Sequence, residues 1–160
     1  MHSIRYIPLA LAVVATLVIG DISLAESPLA DAVEKQDAAA IRALLETHTS
    51  VNAPQPDGMT ALHWAAYHDD LNAVKQLLAA GANPKAASRY EVTPLALACT
   101  NGNEAIVELL LAAGADPAAS LPGGETALMT ASRTGRLGPV RALLERGDEI
   151  FALESGGTSK

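Results

Sequence analysis

His63, His68, Asp69 and Asp70, with Tyr67 among them, gather two imidazoles and two carboxylates into one short stretch. These are the side chains that ligate zinc or move protons in a hydrolytic site. Their spacing argues against both roles. His63 and His68 are five residues apart, which separates them around a helix, and the run is not H-E-x-x-H. Asp69 and Asp70 are chain neighbours and point apart, unlike an acid and a base facing each other across a cleft. Ser132 lacks a G-x-S-x-G elbow and a matching His or acid, and Gly123-Gly124 leads to no lysine that would complete a phosphate loop. Cys99 is the single cysteine, so no intramolecular disulfide can form. With no cation or helix start beside it to favour a thiolate, it is expected to be a buried small apolar residue. No catalytic residue, metal or other cofactor is expected. A metal-dependent enzyme using His63 and His68 is the alternative from a different class.

The elements that would have to position such residues obey a 33-residue period. Ser27, Thr60, Thr93 and Thr126 open four units. Leu29, Leu62, Leu95 and Leu128 follow, then Ala32, Ala65, Ala98 and Ala131, then Leu44, Leu77, Leu110 and Leu143. Leu45, Leu78, Leu111 and Leu144 keep the same step, and so do Gly81, Gly114 and Gly147. A repeat this regular marks a solenoid, in which each unit buries its apolar face only against its neighbours. Ser132 shares a register position with Val33, Ala66 and Cys99 and is expected on a buried small-residue row.

Within unit two, Leu62, Ala65 and Ala66 recur at helical spacing after Thr60, whose hydroxyl can cap a short first helix. After Asp69-Asp70 a second helix runs from Leu71 to Ala80, with Val74, Leu77 and Leu78 on one face and Gly81 ending it. The polar, Asn- and Pro-bearing stretch that follows reads as a hairpin-like loop to the next unit. The expected organisation is a segment 1–25, four units at 27–59, 60–92, 93–125 and 126–150, and a tail at 151–160.

Thr60-Ala61-Leu62-His63 with Ala65 and Ala66, Thr93-Pro94-Leu95 with Ala98, Gly81-Ala82-Asn83 and Gly114-Ala115-Asp116 together resemble the ankyrin repeat. The resemblance covers Ser27 to about Gly147. It implies an all-α ankyrin-repeat solenoid of stacked antiparallel helix pairs, with β-turn fingers and a concave face made of fingers and first helices. It also implies a structural role for His63, buttressing its turn through backbone hydrogen bonds. Three departures carry expectations of their own. Unit one lacks this His and bears Asp31, Glu34, Lys35 and Gln36, as a wetted terminal unit should. Glu91 replaces the finger glycine seen at Gly58 and Gly124, which predicts a different turn there. In unit four, Gly147-Asp148-Glu149 is expected to begin a further connection. The apolar side bearing Val140, Leu143 and Leu144 should then lie open or be covered by Ile150, Phe151 and Leu153. That open side makes self-association possible.

A formal net charge of −7 with scattered Lys and Arg argues against a nucleic-acid partner, which requires clustered cations. At the N-terminus Arg5, an apolar run from Ile7 to Gly20 and Ser23-Leu24-Ala25 read as a secretory leader cleaved after Ala25. The run is shorter than the ~20 apolar residues a membrane span requires. The mature chain is thus expected to be periplasmic or secreted and without a membrane anchor.

The positions that the ankyrin resemblance leaves free for recognition hold Asp57, Met59, Trp64, Tyr67 and His68 in unit two. In unit three they hold Arg89, Tyr90, Val92, Leu97, Thr100 and Asn101, and in unit four Glu125, Thr130, Arg133 and Thr134. Past the leader, every aromatic residue except Phe151 falls on this surface. Trp, Tyr and Arg dominate binding energy at protein interfaces. The expected function is non-enzymatic binding of an exported protein partner, as a scaffold or accessory protein. The alternative within that class is a secreted effector acting on host proteins.

Overall fold

A computed structural model describes residues 27–47, 49–119, 121 and 123–155, with side chains to Gly147. The expected leader and residues 156–160 lie outside the described residues, as do the side chains of Ile150, Phe151 and Leu153. Eight helices make up the regular structure among the described residues: α1 Pro28–Glu34, α2 Ala38–Glu46, α3 Ala61–Tyr67, α4 Leu71–Ala79, α5 Pro94–Asn101, α6 Glu104–Ala112, α7 Ala127–Thr134 and α8 Leu137–Ser155. Each odd helix packs on the even helix after it and on the next odd helix, and α6 is flanked by α4 and α8. The result is the all-α solenoid of helix pairs expected from the period.

The period works by filling the space between units. Leu29, Leu62 and Leu95 are each about 1% exposed, while Leu77 and Leu110 are fully buried. Ala65, Ala98 and Ala131 are also fully buried, and their small side chains let successive first helices approach closely. Cys99, beside Ala98 in α5, is fully buried too, and burial pushes its thiol pKa up to about 12. It is therefore an inert packing residue. Ser132 does not follow its row: it is exposed, and its hydroxyl donates to the Leu128 carbonyl at 2.7 Å. Val33, Ala66 and Cys99 are each covered by a following helix pair, and no further pair follows α7 and α8 among the described residues.

The second helices of units one to three begin on an acceptor side chain. Asp37 and Asp70 each receive two backbone N–H groups, from Ala39 and Ala40 and from Asn72 and Ala73. Asn103 receives that of Ile106. Asp70 thus spends its carboxylate on a helix start rather than on chemistry. The residue before each cap, or the cap itself, turns left-handed in all four units, with φ of 55° at Gln36, 60° at Asp69, 72° at Gly102 and 70° at Gly135.

The fingers repeat one turn. Gly58 N–H donates to Gln55 O and Gln55 N–H to Met59 O; Glu91 and Ser88 do the same with Ser88 and Val92, as do Gly124 and Leu121 with Leu121 and Glu125. Glu91 therefore adopts φ 57° beside 86° at Gly58 and 81° at Gly124, and the different turn expected there does not form. Its backbone is held in register by the adjacent finger, where Arg89 N–H donates to Asp57 O at 2.8 Å. A left-handed non-glycine residue costs roughly 1–2 kcal/mol, of which a glycine returns part to unfolded-chain entropy. Glu91→Gly is accordingly expected to stabilise the protein by about 0.5–1 kcal/mol, read as a higher urea midpoint at unchanged m. A lower midpoint would show that the Glu91 side chain contributes something its exposure conceals.

Gly147 also departs from expectation. It ends no helix: α8 continues through it to Ser155, across the boundary expected at 150. Gly81 and Gly114 are each followed three residues later by a proline, Pro84 and Pro117, whereas Ile150 holds that position after Gly147. Without the missing N–H and fixed φ of proline the helix has no local reason to stop.

Candidate functional site

The first helices present residues in rows, one per unit. Asp31, Trp64, Leu97 and Thr130 form one row, and Glu34, Tyr67, Thr100 and Arg133 a second. Lys35, His68, Asn101 and Thr134 form a third, at or just beyond the helix ends. The fingers stand beside these rows and carry Asp57, Met59, Arg89, Tyr90 and Glu125.

In unit two, Trp64, Tyr67 and His68 form one aromatic group. The Trp64 and His68 rings stack with centroids 6.0 Å apart and planes 24° from parallel. Tyr67 meets both edge-on, at 5.7 Å and 5.2 Å. Trp64 is half-buried against the core, whereas Tyr67 is 55% exposed and Tyr90, on the next finger, 68% exposed. Trp64 Nε1 donates to Gln55 Oε1 at 2.6 Å, so the polar edge of the indole is satisfied and its orientation fixed.

His63 lies fully buried behind this group. Its Nδ1 accepts the Thr60 N–H at 3.1 Å, and its Nε2 reaches the Val92 carbonyl of the next finger at 3.0 Å. The first bond closes the helix start; the second ties unit two to unit three. The ring is thus a neutral imidazole with its proton on Nε2, and burial, the largest influence, holds its pKa below the usual value. It shares no site with His68, and no group of three or more His, Cys, Asp or Glu side chains among the described residues could hold a metal ion.

Two residues from the recognition surface serve the stack itself. His68 Nε2 bonds to the Glu34 carbonyl at 3.0 Å, and Asn101 Nδ2 donates to the carbonyls of Ala66 and Tyr67 at 2.9 Å. Each therefore caps the last carbonyls of the preceding unit's first helix. Leu97 is half-buried, and the exposed Thr100 folds its hydroxyl back onto the Ala96 carbonyl. Asp57 accepts the Met59 N–H, rigidifying its finger, and Arg89 Nη2 donates to the Pro56 carbonyl. In unit four, Glu125 pairs with Arg133 at 2.8 Å and accepts the Thr130 hydroxyl at 3.0 Å. The side chains left with substantial free surface are Tyr67, Tyr90, Arg89, Thr100 and Arg133.

Gln55, which sequence reasoning missed, links units one and two. Its Nε2 donates to Asp31 Oδ1 at 2.7 Å and to Glu34 Oε2 at 2.8 Å, while its Oε1 holds Trp64. The signal available for it was its register beside Ser88, the residue that anchors the next finger turn.

No helix among the described residues is long and apolar enough to cross a membrane. A family model described as ankyrin repeats (3 copies) matches residues 10–88 and again 87–153. No curated protein matches the chain.

Proposed function

The chain belongs to the ankyrin-repeat family, whose repeats are in general protein–protein interaction modules without catalysis of their own, and from that premise we propose that it binds an exported protein partner through the face of its fingers and first helices. The observation that carries this reading is the exposure of Tyr67, edge-on to Trp64, and of Tyr90 on the next finger. Packing does not require these rings outside, and burying aromatic anchors of this kind is what gives protein interfaces most of their affinity. The backbone bond between fingers and the carbonyl caps from His68 and Asn101 hold the surface rigid, which lowers the ordering cost of binding. A role as a scaffold or accessory to an exported protein accords with the leader read from residues 1–25.

The test is capture of the partner from the exported fraction by crosslinking to the immobilised chain. A Tyr67→Ala/Tyr90→Ala variant with unchanged circular dichroism should retain the partner at least about tenfold less well than the wild type. Equal capture would move the site to the far end of the stack, where Met129, Leu137 and Leu144 are exposed.

A further inference from the structure

We propose that this face takes an extended basic segment of its partner, with a Lys or Arg side chain lying across Tyr67 and its charge directed at Glu34 and Asp31; the inference rests on the reading of the face given above. The two carboxylates converge on one neutral amide, that of Gln55, at 2.7 Å and 2.8 Å. Neither has an ion-pair partner among the described residues. Holding two like charges together costs free energy that a neutral amide offsets only in part, and an incoming cation would relieve it. At the other end of the same face the carboxylate of Glu125 is already neutralised by Arg133. The face is therefore electrically uneven, with unmatched negative charge at unit one and matched charge at unit four.

Carboxylates alone would attract any counter-ion. The aromatic group makes the place selective for a side chain. Gln55 bonds Asp31, Glu34 and the Trp64 indole at once, so the negative charge and the rings are fixed as one unit. Tyr67 occupies the register position one repeat after Glu34 and is more than half exposed. His68 stacks on Trp64, meets Tyr67 edge-on and bonds the Glu34 carbonyl, locking the rings against the helix that bears the carboxylate. A long cationic side chain can place its methylenes and charge on an open aromatic face while its end reaches a carboxylate. An acidic or purely apolar segment would leave the charges unmatched. Rows that pass from Glu34 through Tyr67 and Thr100 to Arg133 also give the bound segment a direction, with its basic end at unit one.

Trp64 is the only tryptophan in the chain, so its emission reports on this place alone. The probe is a capped octapeptide of alternating Arg and Ser, compared with its Glu-Ser counterpart. The Arg peptide is expected to change Trp64 emission saturably, with weaker affinity as salt rises, and the Glu peptide to do nothing. An Asp31→Asn/Glu34→Gln variant keeps acceptors for Gln55 and should bind the Arg peptide about tenfold more weakly, and Glu34→Gln alone roughly threefold. Glu108→Gln, exposed on α6, should change nothing. The proposal is overturned if the Arg peptide gives no saturable change, or if the double variant binds it as the wild type does. The crosslinking capture separates the two readings. Partner capture that depends on Tyr67 and Tyr90 but not on Asp31 and Glu34 would sink the basic-segment inference and leave the recognition face standing.

Discussion

Gly58→Ala is expected to destabilise the protein by roughly 3 kcal/mol. A Cβ at this position would lie 2.7 Å from the backbone nitrogen of Arg89, closer than real Cβ atoms come, and 3.0 Å from Cα of Ser88. Those atoms belong to the backbone of the next finger and cannot turn aside as a side chain would. The residue also sits at φ 86°, where alanine is strained on its own account. Relief requires the fingers to separate, which breaks the bond from Arg89 N–H to Asp57 O. Urea unfolding measures the loss directly. Gly123→Ala is the internal comparison: it has φ 96° but open space around its Cβ, so strain acts there without collision. A Gly58 variant no worse than the Gly123 variant would show that finger stacking contributes little.

His63→Ala is expected to cost about 3 kcal/mol at neutral pH. It empties a fully buried site and strips the Thr60 N–H and the Val92 carbonyl of their partner. His63 also imposes a pH dependence whose sign follows from its lowered pKa. Burial disfavours the imidazolium, the Val92 bond and the charge of Asp57 oppose it, and the net direction is below 6.5. The unfolded chain therefore takes up this proton before the folded one does. The stability it contributes is complete above about pH 6.5 and falls as the pH drops from there toward the folded pKa. A proton on Nδ1 would also end its acceptance of the Thr60 N–H. His63→Gln should lack this part of the decline when unfolding free energies are compared between pH 7.5 and 5. Parallel curves for the two proteins would place the pH dependence elsewhere.

The architecture was legible because apolar residues repeat at positions whose burial depends on the neighbouring copy. Leu62, Leu95, Ala65 and Ala98 obey both the period and the core. Glu91, Gln36 and Asp69 show the limit of reading each residue by its own preference. All three are left-handed, against their intrinsic tendency, at positions where sister units hold glycine, so the repeat register predicts their backbone better than their side chains do. The ankyrin resemblance puts His68 and Asn101 among the positions free for recognition. The carbonyls they reach belong to the preceding unit, some 34 or 35 residues back, and no local pattern announces such a bond. The stop expected at Gly147 is missing for a compositional reason visible at Ile150, where units two and three have proline.

The burial of equivalent leucines along the stack has a further consequence. Leu111 is 5% exposed and Leu144, one repeat later, 49%. Inner units lean on two neighbours and the α7–α8 pair on one among the described residues, so the molecule behaves as a zipper whose last teeth part most easily. The aromatic group of unit two lies away from that end, between α1 and α5. The α7–α8 pair can open and close without disturbing the rings around Trp64, and the aromatic part of the surface offered to a partner outlasts the loosening of the end that carries Arg133.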